Sequence, residues 1–403
     1  MMDFDRRTFL RLGSAACLPL MFPGVRTWAL DEETASNTAL GDRVLILVEL
    51  QGGNDGLNTV IPYRDERYKK LRPRIAVADS KVMDLGNHLG MHDALSALGE
   101  SWEASEMCWI LGLGYPEPNR SHFRSIEIWE TGSDSDEELT DGWLSRLLSG
   151  ADKDPTRAAD GIVLGGGDAG PFYGGTTRVI HLDDPASFAR QARQVPEIAR
   201  GMDARKALDH LLDVQEDVKR AARVIEQKRS SAPDLGVKFP TSRFGKRCEI
   251  AASLVAAGVP CPLIKLSHGG FDTHTDQPRR HPRLLGELAQ GLAALRKALI
   301  KSGDWGRVLI STYSEFGRRA KENGSQGTDH GTAAPHLMMG GQVKGGFAGS
   351  QPDLGQLEKN DLIYSTDYRR LYATIEQQWF QMDPNSKVSR GQSPLAILRE
   401  KSL

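Results

Sequence analysis

"RVLISTYSEFGRRAKENGSQGTDHGTAAPHLMMGG", residues 307–341, decides how the chain is read. Its start, "RVLISTYSEFG" (307–317), has the apolar character of a strand buried on both faces of a parallel sheet. A carboxylate, two basic residues, a glycine-rich turn and Asp329-His330-Gly331 follow within a short span. Glu315 sits at the end of the apolar run, where solvent or a cation must compensate its charge. Arg318 can hold an anionic substrate oxygen or pair with Glu315. Asp329 and His330 are candidate site residues, whereas His336 can simply pack beside Pro335 and Leu337. The stretch reads as the ligand-bearing edge of a metal-dependent hydrolase rather than as a surface loop.

The same strand-to-glycine junction recurs along the chain. "RVLILVEL" (43–50) runs into "QGGNDGLN", and "MCWILGLG" (107–114), "GIVLGGG" (161–167), "TTRVIHL" (176–182) and "CPLIKLSHGG" (261–270) are further strand candidates. Helical character marks 89–103, 243–258, 284–300 and 367–380. Residues 186–232 are charged, alanine-rich and nearly free of glycine, which predicts a helical excursion from the sheet. Strands alternating with helices predict an α/β fold over 43–385, with a largely parallel central sheet flanked by helices. Residues 30–42 read as a polar tether and 386–403 as a C-terminal tail. In such a fold, ligands gather beyond the carboxyl ends of the strands.

Three more clusters lie at those ends. Asp55, in "GGNDG", can reach a cation or stabilise its own turn. In "PEPNRSHFRSIEIW" (116–129), Ser121 is a candidate nucleophile or a helix cap. Arg120, His122 and Arg124 lie beside it, and Ser125 is in reserve. "KLSHGGFDTHTDQ" (265–277) supplies His268, Asp272, His274 and Asp276, a mixture of imidazole and carboxylate that suits a borderline divalent ion such as zinc.

The 403 residues carry a net charge of −2 and no basic block, which argues against nucleic acid as a partner. Of the four cysteines, Cys248 and Cys261 can pair or remain buried thiols. No G-x-G-x-x-G, G-x-x-x-x-G-K-[ST] or G-x-S-x-G motif supports a nucleotide fold or an ordinary serine hydrolase. Residues 1–29, with Arg6-Arg7 before Thr8-Phe9-Leu10 and a short apolar stretch, resemble a twin-arginine export signal. That resemblance implies the twin-arginine export machinery as a partner and a periplasmic protein. The apolar part is too short and proline-interrupted for a comfortable membrane span, so no stable transmembrane domain is expected after processing.

Taken together, the Arg6-Arg7 leader, "ELQGGNDGLN", "NRSHF", "GGFDTHTDQ", "SEFGR" and "GTDHG" resemble the exported bacterial proteins grouped as domain of unknown function 1501, over about residues 41–385. That family looks related to the alkaline phosphatase and sulfatase superfamily, which implies an alkaline phosphatase-like fold and a metal-supported nucleophile. By this resemblance Asp55 corresponds to an early ligand, Ser121 to the nucleophile, and Asp272 with His274 to a later ligand pair at tighter spacing. Two registers fit the last segment: Asp329-His330 as an Asp-His pair, or, preferred here, Glu315 as the strand-end acid and His330 as the late histidine. In the second, Phe316 stands where a metal histidine is expected. The resemblance implies zinc, magnesium, manganese or calcium in unstated number, with Arg120, Arg124 or Arg318 neutralising oxygens of a phosphate or sulfate ester or a modified glycan. No C-x-P-x-R signature is present for formylglycine chemistry. The alternative is a non-catalytic exported binding or assembly protein that retains the fold.

Overall fold

The computed structural model describes residues 40–149, 154, 156–175, 177–194, 206–384 and 386–399. Residues 1–29, expected to be an export signal, and most of the expected tether therefore lie outside the described residues. A nine-stranded sheet runs through the centre. Its strands, numbered in chain order, are β1 (Val44–Gln51), β2 (Met107–Gly114), β3 (Gly161–Leu164), β4 (Val179–His181), β5 (Leu263–Gly269), β6 (Val308–Tyr313), β7 (Ala334–Gly340), β8 (Gly346–Gly349) and β9 (Thr366–Asp367). The spatial order is β8-β2-β7-β6-β1-β5-β3-β4, with β9 also paired to β2. Only β7 runs against its neighbours; the other pairings are parallel.

β1 shows why the sheet is central. Val44, Ile46, Val48 and Leu50 enter one core, while Leu45 and Leu47 enter the other. Alternate side chains leave a strand on opposite faces, so a continuous apolar run needs cover on both. The first face is covered by α4 (Arg243–Ala256) and α5 (Gln277–Ser302), through residues such as Phe244, Leu285, Leu292 and Leu299. On the other face, Ile128 and Trp129 of α1 (His122–Thr131) pack with Trp143, Tyr368 and Tyr372.

The excursion consists of α2 (Pro185–Gln194) and α3 (Lys206–Ser230), whose connection lies outside the described residues. The helical reading of 89–103 holds only in part. Leu89–His92 joins a small antiparallel sheet, and helical turns begin at Asp93. The expected tail is not loose over its described part: Val388, Leu395, Ile397 and Leu398 are buried in the second core, and Leu398 bridges Val343. Cys108, Cys248 and Cys261 are buried free thiols. No helix among the described residues is long and apolar enough to cross a membrane.

One edge of the sheet collects the clusters singled out in the sequence. β1, β2, β5 and β6 all end there, and β7, being reversed, begins there. Thus 52–55, 115–122, 270–276, 314–318 and 328–333 share one rim although they are far apart in the chain.

Candidate metal centre

Two glycines allow the rim to close. Gly52 and Gly53 have φ of 112° and 77°. A Cβ on Gly52 would lie 2.4 Å from the Asp272 backbone nitrogen, and one on Gly53 would meet the Phe316 ring at 2.4 Å. Left-handed backbone and close approach both require the missing side chain. The loop after β1 is thereby pressed against the loops that carry Asp272 and Phe316.

His122 is the first residue of α1, and its Nδ1 lies 2.8 Å from Glu315 Oε1. Its Nε2 lies 3.7 Å from Asp272 Oδ2. Asp272 follows β5, and its Oδ1 lies 3.1 Å from His274 Nε2 and 3.5 Å from His330 Nε2. The two histidine Nε2 atoms are 2.9 Å apart. His330 is positioned by an antiparallel bridge to Arg318, and its Nδ1 lies 2.8 Å from the Arg120 carbonyl oxygen. Ligand atoms of His122, Asp272 and His330 all fall within 4.8 Å of one another, the geometry of a metal-binding group. Two imidazoles and a carboxylate fit a divalent ion of the zinc type by donor chemistry, and His274, outside that group, lies against Asp272 and His330.

The electrostatics favour an ionised Asp272, while the rings differ. Burial opposes the charge of Asp272, but the hydrogen bond and charge of Arg318 outweigh it and hold the carboxyl below its usual range. Hydrogen bonding to Glu315 raises the pKa of His122 against partial desolvation. Burial lowers that of His330. Phe316 is buried and forms an aromatic floor, its ring centroid 4.9 Å from that of His122 and 4.5 Å from that of His330.

Several expected ligands stand back from the centre. Asp55 is wholly buried; its Oδ1 caps Leu57 N, while Oδ2 accepts from Arg72 and Gln277, so its charge is compensated inside the fold, away from the histidines. Glu315 backs His122 and accepts from Gly52 N and Ser314 Oγ. Asp329, an exposed residue, faces His274 Nδ1 at 3.3 Å and accepts from Asn323. Both carboxylates orient imidazoles rather than face the centre directly.

The arginine expectations also change. Arg318 is fully enclosed, with its donors spent on the carbonyls of Gly52, Gly53, Phe271 and Thr328 and on Asp272, so it is not free to grip a substrate. Arg124 binds the carbonyls of Asp134, Ser135 and Glu137 and pairs with Glu127, fixing a loop to α1. Arg120 remains at the lip, one-third exposed, in a 2.8 Å pair with Asp361. Ser121 occupies the N-cap position, yet its hydroxyl makes no capping bond and the residue is exposed. Ser125 is buried, bonded to Tyr115 and to the Glu315 carbonyl. His268 is a core residue stacked on Phe244, and Asp276 precedes α5 and pairs with Arg279. Sequence reasoning placed His122 only as a neighbour of Ser121; its position in the first turn after a strand-end loop was the available signal.

The family profile for "Protein of unknown function (DUF1501)" matches residues 113–390, which include "NRSHF", "GGFDTHTDQ", "SEFGR" and "GTDHG". The chain belongs to the DUF1501 family. The matched segment carries His122, Asp272, His274 and His330, whereas Asp55 lies before it. No curated protein matches the chain. Among solved structures, this DUF1501 chain is similar to a protein in the alkaline phosphatase superfamily from Vibrio parahaemolyticus, at 10% identity and TM-score 0.40, covering 96% of this chain and 78% of that one. It is similar to the PsFucS1 sulfatase from Pseudoalteromonas sp. at 12% identity and TM-score 0.38, with 84% and 68% covered. A third is the lipoteichoic acid synthase LtaP from Listeria monocytogenes, at 9% identity and TM-score 0.38, with 88% and 76% covered. Likeness at this level says nothing of activity.

Proposed function

We propose that the chain is an exported metal-dependent hydrolase or transferase acting on a phosphate or sulfate ester. The observation that carries this reading is the convergence of His122, His274, His330 and Asp272 at the carboxyl edge of the sheet, with Ser121, whose hydroxyl does not cap its helix, next to His122 in the chain. A bound divalent ion would supply Lewis-acid polarisation and lower the pKa of a nearby hydroxyl. The chain's own part is positional. The Arg120 carbonyl holds His330 and the next residue but one supplies the His122 ring, so Ser121 is pinned at the lip between two site contacts. In this reading the Ser121 hydroxyl would give up its proton and its Oγ would bond to phosphorus or sulfur while the bond to the alcohol breaks, the alcohol leaving with a proton from solvent. Arg120 is the cation available there for ester oxygens.

A binding protein without catalysis is the second reading. It is favoured by one observation: Asp55, Arg318 and Arg124 are all committed to internal contacts and cannot serve substrate. The test is to purify the folded chain without chelators, load it with zinc, magnesium, manganese or calcium, and screen phosphate and sulfate esters beside Ser121→Ala. Turnover that Ser121→Ala abolishes without loss of metal supports the enzyme; metal binding with no turnover of any ester supports the binding protein. Export is tested by fractionation, where Arg6→Lys/Arg7→Lys should retain the protein in the cytoplasm.

A further inference from the structure

Arg247 is a half-buried guanidinium without a carboxylate. Arg72, Arg318 and Arg369 are buried against Asp55, Asp272 and Asp367. Arg247, on α4, donates Nη1 to the Ser267 carbonyl and forms no ion pair among the described residues. Burial lowers its pKa, and the acid that opposes this, exposed Asp183, forms no ion pair with it. Arg243, one turn earlier and exposed, pushes in the same direction as burial. Like charges four residues apart destabilise a helix, so the fold gains nothing from this pair.

The pair lies beside open glycine backbone. α4 leads into the start of β5, so its first turns are at the carboxyl edge of the sheet. Gly165, after β3, sits directly against the Arg247 guanidinium, where any side chain would collide with it. Gly166 and Gly167 are exposed, and a Cβ on Gly166 would meet nothing within 4 Å. On neighbouring β5, Gly269 is exposed, as is Gly270 after it. Glycine turns let a ligand approach the main chain closely, and ligands of α/β sheets gather at this edge. Asp272 follows Gly269 by three residues, so the chain keeps their Cα atoms within about 11 Å.

We propose that Arg243 and Arg247, with the glycines beside them, form an anion subsite for a second sulfate, phosphate or carboxylate group of the substrate whose ester lies at the metal centre. This rests on the ester reading above and deepens it, since the substrate then carries at least two negative groups. A guanidinium fork matches two oxygens of such a group. One anion shared by both arginines also turns their mutual repulsion into attraction for a common partner.

The test is calorimetric titration of the zinc-loaded full chain carrying Ser121→Ala to stop turnover. The probes are a disaccharide with one sulfate, the same disaccharide with one sulfate on each ring, and inorganic sulfate. The disulfated probe should bind at least about 10-fold tighter than the monosulfated one, as expected for one charge-assisted contact. Arg247→Gln should remove that preference. Gly166→Leu should do the same, because it fills open space at a position free of left-handed backbone. Arg243→Gln, at an exposed residue, should reduce it about 3-fold. Lys301→Gln, near the end of α5 at the opposite edge, should keep it. Circular dichroism shows that each variant is folded. A disulfated probe bound no tighter than the monosulfated one overturns the inference. So does a preference that survives in Arg247→Gln, or in both Gly166→Leu and Arg243→Gln. Inorganic sulfate bound through Arg247, with no preference between the disaccharides, would make the ligand a free ion and overturn the link to substrate. If the parent chain turns over no sulfate or phosphate ester, the ester reading fails, while an Arg247-dependent preference still supports the subsite in a binding protein.

Discussion

Arg72 Nη1 lies 2.6 Å from Asp55 Oδ2, and both side chains are completely shielded from solvent. The same guanidinium bonds Asn58 and the carbonyls of Arg319 and Ala320, so it ties the loop after β1 to the segment that leads to His330. Burial opposes the charge of Asp55, yet Arg72 outweighs it and holds the carboxyl below its ordinary range. Removing one partner leaves a buried unpaired charge. Asp55→Ala and Arg72→Ala should therefore each cost about 3–5 kcal/mol of stability. The double variant Asp55→Asn/Arg72→Met should lose less than either, as urea unfolding would show. A metal-binding loss in Asp55→Ala without a stability loss would contradict the ion-pair account.

Glu315 touches His122 from behind, and orienting carboxylates of this kind are worth about 10–100-fold in metal affinity. Glu315→Gln keeps the size and one acceptor but removes the charge. It should fold normally and lose zinc affinity in that range in a chelator competition. Affinity equal to that of the parent would show that the carboxylate does nothing for the ring.

His336 is buried with neither ring nitrogen hydrogen-bonded, edge-on to Trp129, and burial drives its pKa down from 6.5 to about 3. A depressed folded-state pKa contributes stability above the unfolded value, and that contribution is lost as pH falls from 6.5 towards 3. His336→Phe preserves the aromatic contact without the proton site. It should flatten the acid limb of stability against pH and stabilise the neutral protein by about 1 kcal/mol, through removal of unpaired polar atoms. An acid limb identical to the parent's would place the titration elsewhere.

A buried lysine supplies the fourth test. Lys265 Nζ lies 3.1 Å from Glu49, 3.2 Å from Glu130 and 3.6 Å from Asp168, beneath Tyr313, which donates to Glu130. Burial lifts Glu130 to about 7 even with the lysine present. Lys265→Met should cost about 3–5 kcal/mol at pH 8, because it strands buried carboxylates. The raised pKa of Glu130 gives stability below its unfolded pKa that is lost as pH rises, so the deficit should shrink at pH 5. Urea midpoints at the two pH values decide it, and an equal deficit at both would reject the charge explanation.

The frame was legible because β1, β2 and β6 are apolar runs ending in glycine or in Ser314-Glu315, a local pattern with one structural solution. Asp272 and His274 were legible as a dense donor cluster. The fate of Asp55 was not, since its partners Arg72 and Gln277 are 17 and 222 residues away and carry no mark of pairing. Arg318 looked like a substrate clamp because nothing in "SEFGRR" reveals four carbonyls waiting for it. Lys265 was hidden for a related reason: it sits within an apolar strand, and its acids arrive from β1, α1 and the loop near Asp168. Long-range charge pairing leaves no periodicity behind.

The centre joins stretches that the chain keeps far apart: 193 residues separate His122 from Glu315, and 56 separate His274 from His330. An ion held there would act as a crosslink, favouring the folded form by mass action and suppressing local opening of the rim. The first segment to feel its removal would be the exposed turn at Pro116–Pro118, which leads directly into Arg120 and His122. Chelation would then be visible as protease nicking at that turn, at temperatures where the two cores remain intact.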